Sequence, residues 1–202
     1  MEKQYWDYFL SIESELSKIS KFVYFSEDNL NTYSFEFMKI IVSASIEFET
    51  VSKKIFNTIK MKDTWIKLES NKYHLIDFEL KLRDFDLSIM PFKKIDDEKA
   101  FIWWDAYTSA KHDKINSLHK SSLKNALSAV GSLMILLIYI YKYSWRDYDS
   151  TSIEFKKGRD IWNQIEDMRK EPILFNTPNE SDKKDGRLKY KQFWRTSFKE
   201  KA

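Results

Sequence analysis

The chain of 202 residues contains no cysteine, only three glycines and only three prolines. The lack of cysteine excludes disulfides, thiolate metal sites and cysteine nucleophiles. The scarcity of glycine and proline argues against a turn-rich all-β domain and favours long helices. The sequence also has no glycine-rich phosphate loop, no Gly-x-Ser-x-Gly elbow and no His-Glu-x-x-His pair. These absences argue against P-loop, serine-hydrolase and zincin chemistry.

What remains is the composition of a folded globular protein. Hydrophobic residues make up 43% of the chain and charged residues 32%, a balance that argues against disorder. The net charge is only +3, but the cations are concentrated near the C-terminus, which leaves the rest mildly acidic. We predict a helical bundle over residues 1–170 and a basic C-terminal tail or appendage over residues 171–202.

The most apolar stretch runs from Asn125 to Tyr141 and contains no charged residue. Its large apolar residues recur at helical spacing, so we predict a buried core helix with Ser121 or Ser122 as its N-cap. A membrane span is the alternative, but the stretch is at the short limit for spanning and holds polar residues. The N-terminus lacks the basic start and apolar run of a secretion signal, and we expect a cytoplasmic location without membrane association.

Two earlier segments carry apolar residues in alternating steps of three and four, which predict amphipathic helices. A third helix is expected from about Asp96–Asp97 to His112, and a last one over residues 153–169. Two runs of alternating apolar and polar residues, Ile76 to Leu82 and Asp84 to Ile89, favour a small β-hairpin near residues 74–90, with a helix as the alternative. The sequence thus predicts an all-α bundle of about five helices with a small hairpin insertion. The two amphipathic stripes are Tyr5, Phe9, Ile12, Leu16, Ile19 and Val23, and Phe37, Ile41, Ala44, Phe48, Val51 and Ile55.

An aromatic segment just before the core helix carries a resemblance to a known family. It reads Trp-Trp-x-x-Tyr-x-x-x-Lys-His-x-Lys over residues 103–114, and an earlier helix supplies Ser43, Glu47 and Glu49. Together with the core helix, this pattern over residues 34–142 resembles the HEPN superfamily, small all-α domains of bacterial toxins and phage-defence ribonucleases. The resemblance implies a homodimer that places one histidine from each protomer at a shared cleft and cuts RNA without metal or cofactor. It also implies a cognate antitoxin or another defence protein as partner.

The sequence departs from the family pattern at one place. Active members usually carry an arginine followed by a polar residue some four to six positions before the histidine, and in this region the chain has Asp105, Ala106 and Tyr107 instead of an arginine. Two interpretations stay open. Either Lys111 and Lys114 supply the positive charge of a metal-independent endoribonuclease, or the protein is a non-catalytic module that binds RNA or a protein.

His112 is the leading candidate for catalysis, because an imidazole changes charge near neutral pH and can take or return a proton. Lys111 and Lys114 are candidates for phosphate contacts, and Tyr107 for a hydrogen bond to phosphate or stacking on a base. Glu47 either orients His112 or Lys111 or is a residue at the border of the core. A structural hydrogen bond and plain exposure are the alternatives for His112 itself.

On the predicted third helix, Asp105, Thr108 and Ser109 share an arc with His112. The arc is either a proton-transfer site or the ordinary polar face of a surface helix. His119 is expected to be a surface residue in a separate segment. The three histidines of the chain do not form a metal-binding pattern, so we predict no metal site.

The C-terminal tail interleaves cations with aromatic residues. Such mixtures neutralise phosphates and stack on bases, which makes the tail a candidate RNA-binding segment. Docking of its aromatic rings onto the body is the alternative. The candidate RNA-binding residues of the tail are Lys189, Lys191, Trp194 and Arg195.

Overall fold

The computed structural model describes residues 3–69, 78–94, 101–138, 160, 163, 173–175, 183–184 and 187–188. Within them the protein is an all-α bundle with a small hairpin insertion, which confirms the predicted fold class. The helices are α1 (Gln4–Ile19), α2 (Phe35–Phe56), α3 (Met61–Glu69), α4 (Ile102–His112) and α5 (Leu123–Ile138). The strands are β1 (Leu80–Lys81), β2 (Ser88–Ile89), β3 (Lys183–Lys184) and β4 (Arg187–Leu188).

Helices α2 and α5 form the centre of the bundle, with α1 and α4 packed against both of them. In α5 every described residue except Lys124 is buried, so the helix is apolar all round as its composition predicts. Of the two expected caps, Ser122 accepts a hydrogen bond from the Asn125 backbone N–H at 3.3 Å, whereas the buried Ser121 hydroxyl has no partner. Backbone carbonyls of Leu30 and Thr32 accept bonds from two further N–H groups at the start of the helix.

The predicted stripe of α2 is the face that packs into the core. Phe37, Ile41, Ala44, Phe48 and Val51 are all fully buried. The helix begins after Ser34, whose hydroxyl accepts a hydrogen bond from the N–H of Phe37 at 3.1 Å. Its last residue is Phe56, and the following Asn57 adopts the left-handed conformation (φ 48°) that is common just after a helix.

The hairpin lies where the alternating pattern predicts it. β1 pairs with β2 in antiparallel register, Leu80 opposite Ile89, and the apolar side chains of both strands are buried. The hairpin packs closely on α5 at Gly131, where a Cβ atom would come within 2.5 Å of Leu80 Cδ2. A side chain at this position would require the Leu80 side chain to move, so the glycine permits the close approach.

The predicted start of α4 near Asp96 and Asp97 is wrong, since the helix begins at Ile102. Its N-cap, Phe101, is extended (φ −59°, ψ 148°) and forms a β-bridge with Lys94. The Phe101 ring is buried against Trp65, so packing of this aromatic side chain takes precedence over the capping preference of the two aspartates.

Helix α3 was not expected from the sequence. Its Trp65 ring packs on Phe48 of α2 and on Trp104 of α4 with centroid separations of 5.9 and 5.0 Å. Nearby, the buried Trp103 indole N–H donates a hydrogen bond of 2.8 Å to the carbonyl of Pro91. An aromatic cluster therefore joins α2, α3 and α4 and fixes the beginning of α4.

Leu174 and Phe175 pack into the core, although residues 171–202 were predicted to form the tail. Both residues are buried, and the carboxylate of the fully buried Glu13 on α1 accepts backbone N–H bonds from residues 173–175 at 2.8 to 3.2 Å. A β-bridge between Leu82 and Phe175 adds to this attachment. We refer to Glu13 and residues 173–175 as the clasp. The division between bundle and tail otherwise stays a prediction.

Several expectations fall on parts of the chain that are not described. Asp160 and Asn163 are helical, and the rest of the predicted last helix over residues 153–169 lies outside the described residues, as do residues 139–141 of the predicted core helix. Among the helices described, none is both long enough and apolar enough to span a membrane.

Candidate functional site

The two faces of α4 have the character that the sequence predicts. Trp103, Ala106 and Ala110 are buried in the bundle, while the polar arc lies on the outer side of the helix. Thr108 uses its hydroxyl locally, donating to the carbonyls of Trp104 and Asp105 at 3.1 Å. The polar arc ends at His112, which is the last residue of α4 and has an exposed side chain.

The loop after α4 folds back over this arc. Asp113 organises it: its two carboxylate oxygens accept bonds from the backbone N–H and the side-chain amide of Asn116, at 3.1 and 2.7 Å. Ser117 donates both its backbone N–H and its hydroxyl to the Asp113 carbonyl. A 3₁₀ turn over Leu118–Lys120 follows and leads into α5. The tight turn at residues 113–117 thus brings the 3₁₀ turn beside the end of α4.

This folding creates an open cavity of about 410 Å³ between the end of α4 and the loop. The residues around it are polar, although carbon atoms of their side chains make up most of the wall. Both His112 and His119 line the cavity and both are exposed to solvent. The lining residues are Thr108, Ser109, His112, Asp113, Asn116, Ser117, His119 and Lys120.

Lys120 is fixed on one side of the cavity by two contacts to α4. Its ammonium donates hydrogen bonds of 2.9 Å to Asp105 Oδ2 and to the Ser109 hydroxyl. Both members of the Lys120–Asp105 ion pair stay partly exposed, with side-chain exposures of 37% and 41%. The cavity therefore holds a positioned cation whose charge is partly balanced by a neighbouring carboxylate.

The charge of Asp113 is also fixed by its surroundings. Hydrogen bonds from the side chain and the backbone of Asn116 lower the pKa of this exposed carboxyl below its usual value. An ionised carboxylate thus stands at the mouth of the cavity next to His112. The cavity combines two imidazoles, an ammonium, a carboxylate, an amide and hydroxyl groups, which is a set suited to binding a polar ligand and moving protons.

Sequence reasoning missed His119 and Lys120 as cavity residues. His119 was expected to be an unrelated surface residue, yet it shares the cavity with His112. His119 follows His112 by seven residues, but the two do not share a helix face because a turn separates them. The chain reversal could have been indicated by one sequence feature, an aspartate (Asp113) followed three residues later by an asparagine (Asn116).

Tyr107 belongs to the core more than to the cavity. It is buried, and desolvation together with the charge of Glu49 raises the pKa of its hydroxyl, while Lys53 lowers it. Lys111 is exposed, with its ammonium 5.8 Å from the centre of the Tyr107 ring, an arrangement typical of a cation–π contact. Lys114 is exposed in the turn after α4. None of the three lines the cavity.

Glu47 lies on the side of α2 that faces α1. It sits two helical turns before Lys54, on the same side of α2, and Lys54 contacts the Tyr5 hydroxyl of α1 at 3.5 Å. Tyr107 of α4 faces Glu49, which lies on the opposite edge of α2. Glu47 is half-buried, and desolvation raises its pKa. Its position is that of a residue at the border of the core.

The other candidates concern the tail and a metal. Lys189, Lys191, Trp194 and Arg195 lie outside the described residues. Among the residues whose placement is described, no three histidine, aspartate or glutamate side chains are grouped as a metal would require.

Comparisons with family models, curated proteins and solved structures find no match to this chain.

Proposed function

We propose that this protein is a HEPN-like, metal-independent endoribonuclease in which His112 transfers a proton during cleavage of the RNA backbone. One observation carries the proposal: the exposed His112 lines an open cavity together with Lys120, whose ammonium is held by Asp105. An imidazole can take the proton of a ribose 2′-hydroxyl or return one to a leaving oxygen. An adjacent ammonium favours the negative charge that builds up on the phosphate.

The proposed substrate is a single-stranded or looped region of RNA. An open cavity about 410 Å³ in volume admits a flexible ribose-phosphate segment, whereas a regular duplex holds its backbone in fixed A-form geometry. Lys111, the residue before His112, and Lys114, two residues after it, are both exposed and would contact the flanking phosphates. Further RNA contacts are proposed for the tail residues Lys189, Lys191, Trp194 and Arg195.

The proposal is tested by incubating the purified protein with structured and unstructured RNAs in the presence of EDTA. We expect cleavage by the wild type and a loss of about a hundredfold or more for His112→Gln, which cannot transfer a proton near neutral pH. Lys62→Gln, at an exposed position on α3, is the control and should cleave like the wild type. Intact RNA across the panel with wild-type protein would refute the proposal.

A second function is supported by the contacts of Lys120. Its ammonium is hydrogen-bonded to Asp105 and Ser109, which reduces the positive charge that faces the cavity. The positive charge that remains on Lys120 is enough for a non-catalytic module. Such a module would bind RNA or a protein, such as an antitoxin or another defence protein. Under this second proposal the wild type and His112→Gln bind RNA equally and neither cleaves it. The homodimer and the cytoplasmic location expected from the sequence stay predictions.

A further inference from the structure

Cleavage of RNA by its own 2′-hydroxyl requires proton transfers at two places. The attacking 2′-oxygen loses a proton on one side of the phosphorus, and the departing 5′-oxygen gains one on the opposite side. A single imidazole cannot reach both oxygens in one step, because they are in line across the phosphorus. The proposed activity therefore needs a second proton-transfer group.

The cavity contains such a group within the same chain. His119 lines it together with His112, and both rings are exposed to solvent. The bonds from Asn116 and Ser117 to Asp113 close the turn, and the bonds from Lys120 to Asp105 and Ser109 hold the 3₁₀ turn against α4. These contacts fix the loop that carries His119 relative to the end of α4 that carries His112.

We infer that His119 is the second catalytic residue and that each protomer carries a complete cleavage site. The inference rests on the proposed ribonuclease function and goes beyond it. The family resemblance implies one histidine from each of two protomers at a shared cleft, whereas here a single chain places two histidines, His112 and His119, on the same cavity. A dimer is then unnecessary for the chemical step.

The atoms balance in the following way. One imidazole removes the 2′-hydroxyl proton, the 2′-oxygen forms a bond to phosphorus, and the bond from phosphorus to the 5′-oxygen breaks. The other residue, as imidazolium, gives its proton to the departing 5′-oxygen. The products are a 2′,3′-cyclic phosphate and a free 5′-hydroxyl, and exchange of protons with water restores both imidazoles. No metal or redox partner enters this step.

The first test compares His112→Gln and His119→Gln with the wild type on a single-stranded RNA in EDTA. We expect each substitution to lower the rate by about a hundredfold or more, and the bell-shaped pH dependence of the wild type to lose one limb in each variant. Ile115→Ala is the matched control, since Ile115 is 71% exposed in the same loop and does not line the cavity. Urea unfolding checks that all four proteins are folded.

A second test decides whether the two histidines act within one chain. Equal amounts of His112→Gln and His119→Gln are mixed, denatured and refolded together. A site built within one protomer leaves the mixture inactive. A site shared by two protomers would instead restore about a quarter of the wild-type sites in mixed dimers. Restored activity in the mixture overturns the inference.

A substrate with a good leaving group separates the two roles. A uridine 3′-phosphate ester of para-nitrophenol needs no proton on its leaving oxygen, so the variant that lacks the general acid should regain most of its rate on this ester. The variant that lacks the general base should stay slow. Recovery of neither or of both variants contradicts a division of labour between the two histidines.

The failure of this inference differs from the failure of the proposed function. If His119→Gln cleaves like the wild type while His112→Gln is inactive, the ribonuclease proposal stands and His119 has no catalytic role. If the wild type does not cleave any RNA, both fall.

Discussion

Two carboxylates, Glu13 in the clasp and Asp113 in the cavity loop, accept similar hydrogen bonds but have pKa values shifted in opposite directions. Glu13 accepts three backbone N–H bonds and Asp113 accepts two N–H bonds from Asn116. Burial raises the pKa of Glu13 to about 7, against the hydrogen bonds and the charge of Arg83, which lower it. The pKa of the exposed Asp113 is lowered. Contact with water therefore decides the direction of the shift.

The difference separates a structural region from a candidate functional one. The clasp is dry, and its carboxyl group is held there at a cost in desolvation because it satisfies three backbone N–H groups. The cavity loop stays wet, and the lowered pKa of Asp113 keeps this carboxylate charged near neutral pH. A site that exchanges protons with a ligand needs the second kind of surroundings.

The largest effect expected from this comparison is a pH dependence of stability caused by Glu13. A native pKa of about 7 against 4.5 means that the native state holds the proton more tightly. The stabilisation is complete below pH 4.5 and is lost as the pH rises through about 7. We expect the free energy of unfolding to fall by about 2 kcal/mol between pH 5 and pH 8 because of this group.

The control for this prediction is Glu13→Gln, which keeps the size of the side chain and removes its titration. Urea unfolding of both proteins at several pH values isolates the contribution of Glu13 from that of the other carboxyl groups. The difference between wild type and variant should change with pH in the stated direction. A difference that is constant from acid to neutral pH would contradict the shifted pKa.

A smaller effect is expected for the ion pair that fixes the wall of the cavity. Asp105→Asn removes the charge facing Lys120, and because both side chains are partly exposed we expect a loss below about 1 kcal/mol. High salt should reduce the loss further by screening. The measurement is urea unfolding at low and high salt, with the exposed Asp63→Asn on α3 as the control. A large, salt-independent loss would show that the pair is structural in the manner of Glu13.

The smallest effect is expected for Asp113, which is fully exposed. Asp113→Asn weakens the acceptors for Asn116, so hydrogen exchange of the Asn116 backbone amide should become faster. A lowered pKa means that the stabilisation exists above the ordinary value of 3.8 and disappears as the pH falls through the lower native value. The difference from wild type should therefore be visible near neutral pH and vanish in strong acid. Unchanged exchange near neutral pH would contradict this prediction.

Much of the fold could be predicted because its signals are local. The stripes of α1 and α2 follow from side chains three or four residues apart, and alternation between Phe78 and Ile89 predicted the hairpin. Helix α3 was missed because it has only nine residues, four of them charged. Its Trp65 is explained by contacts with Phe48 and Trp104 that are distant in the sequence.

The polar arc of α4 could be predicted for the same local reason, but the cavity could not. His119 becomes a neighbour of His112 only after the chain reverses at Asp113–Ser117 and Lys120 reaches Asp105. Glu13 is a comparable case, since its partners lie about 160 residues further along the chain. One local signal was present: Glu13 occupies a position within the apolar stripe, between Phe9 and Leu16, where a charged residue needs an explanation.

The clasp also has a consequence for the order in which the protein is assembled. The ribosome makes α1 early, and the backbone groups that satisfy Glu13 are added only when residues 173–175 emerge. Until then, packing of α1 against α2 and α5 would bury the Glu13 carboxylate without these hydrogen-bond donors. Biosynthesis should therefore complete the core late, after almost the whole described part of the chain has left the exit tunnel.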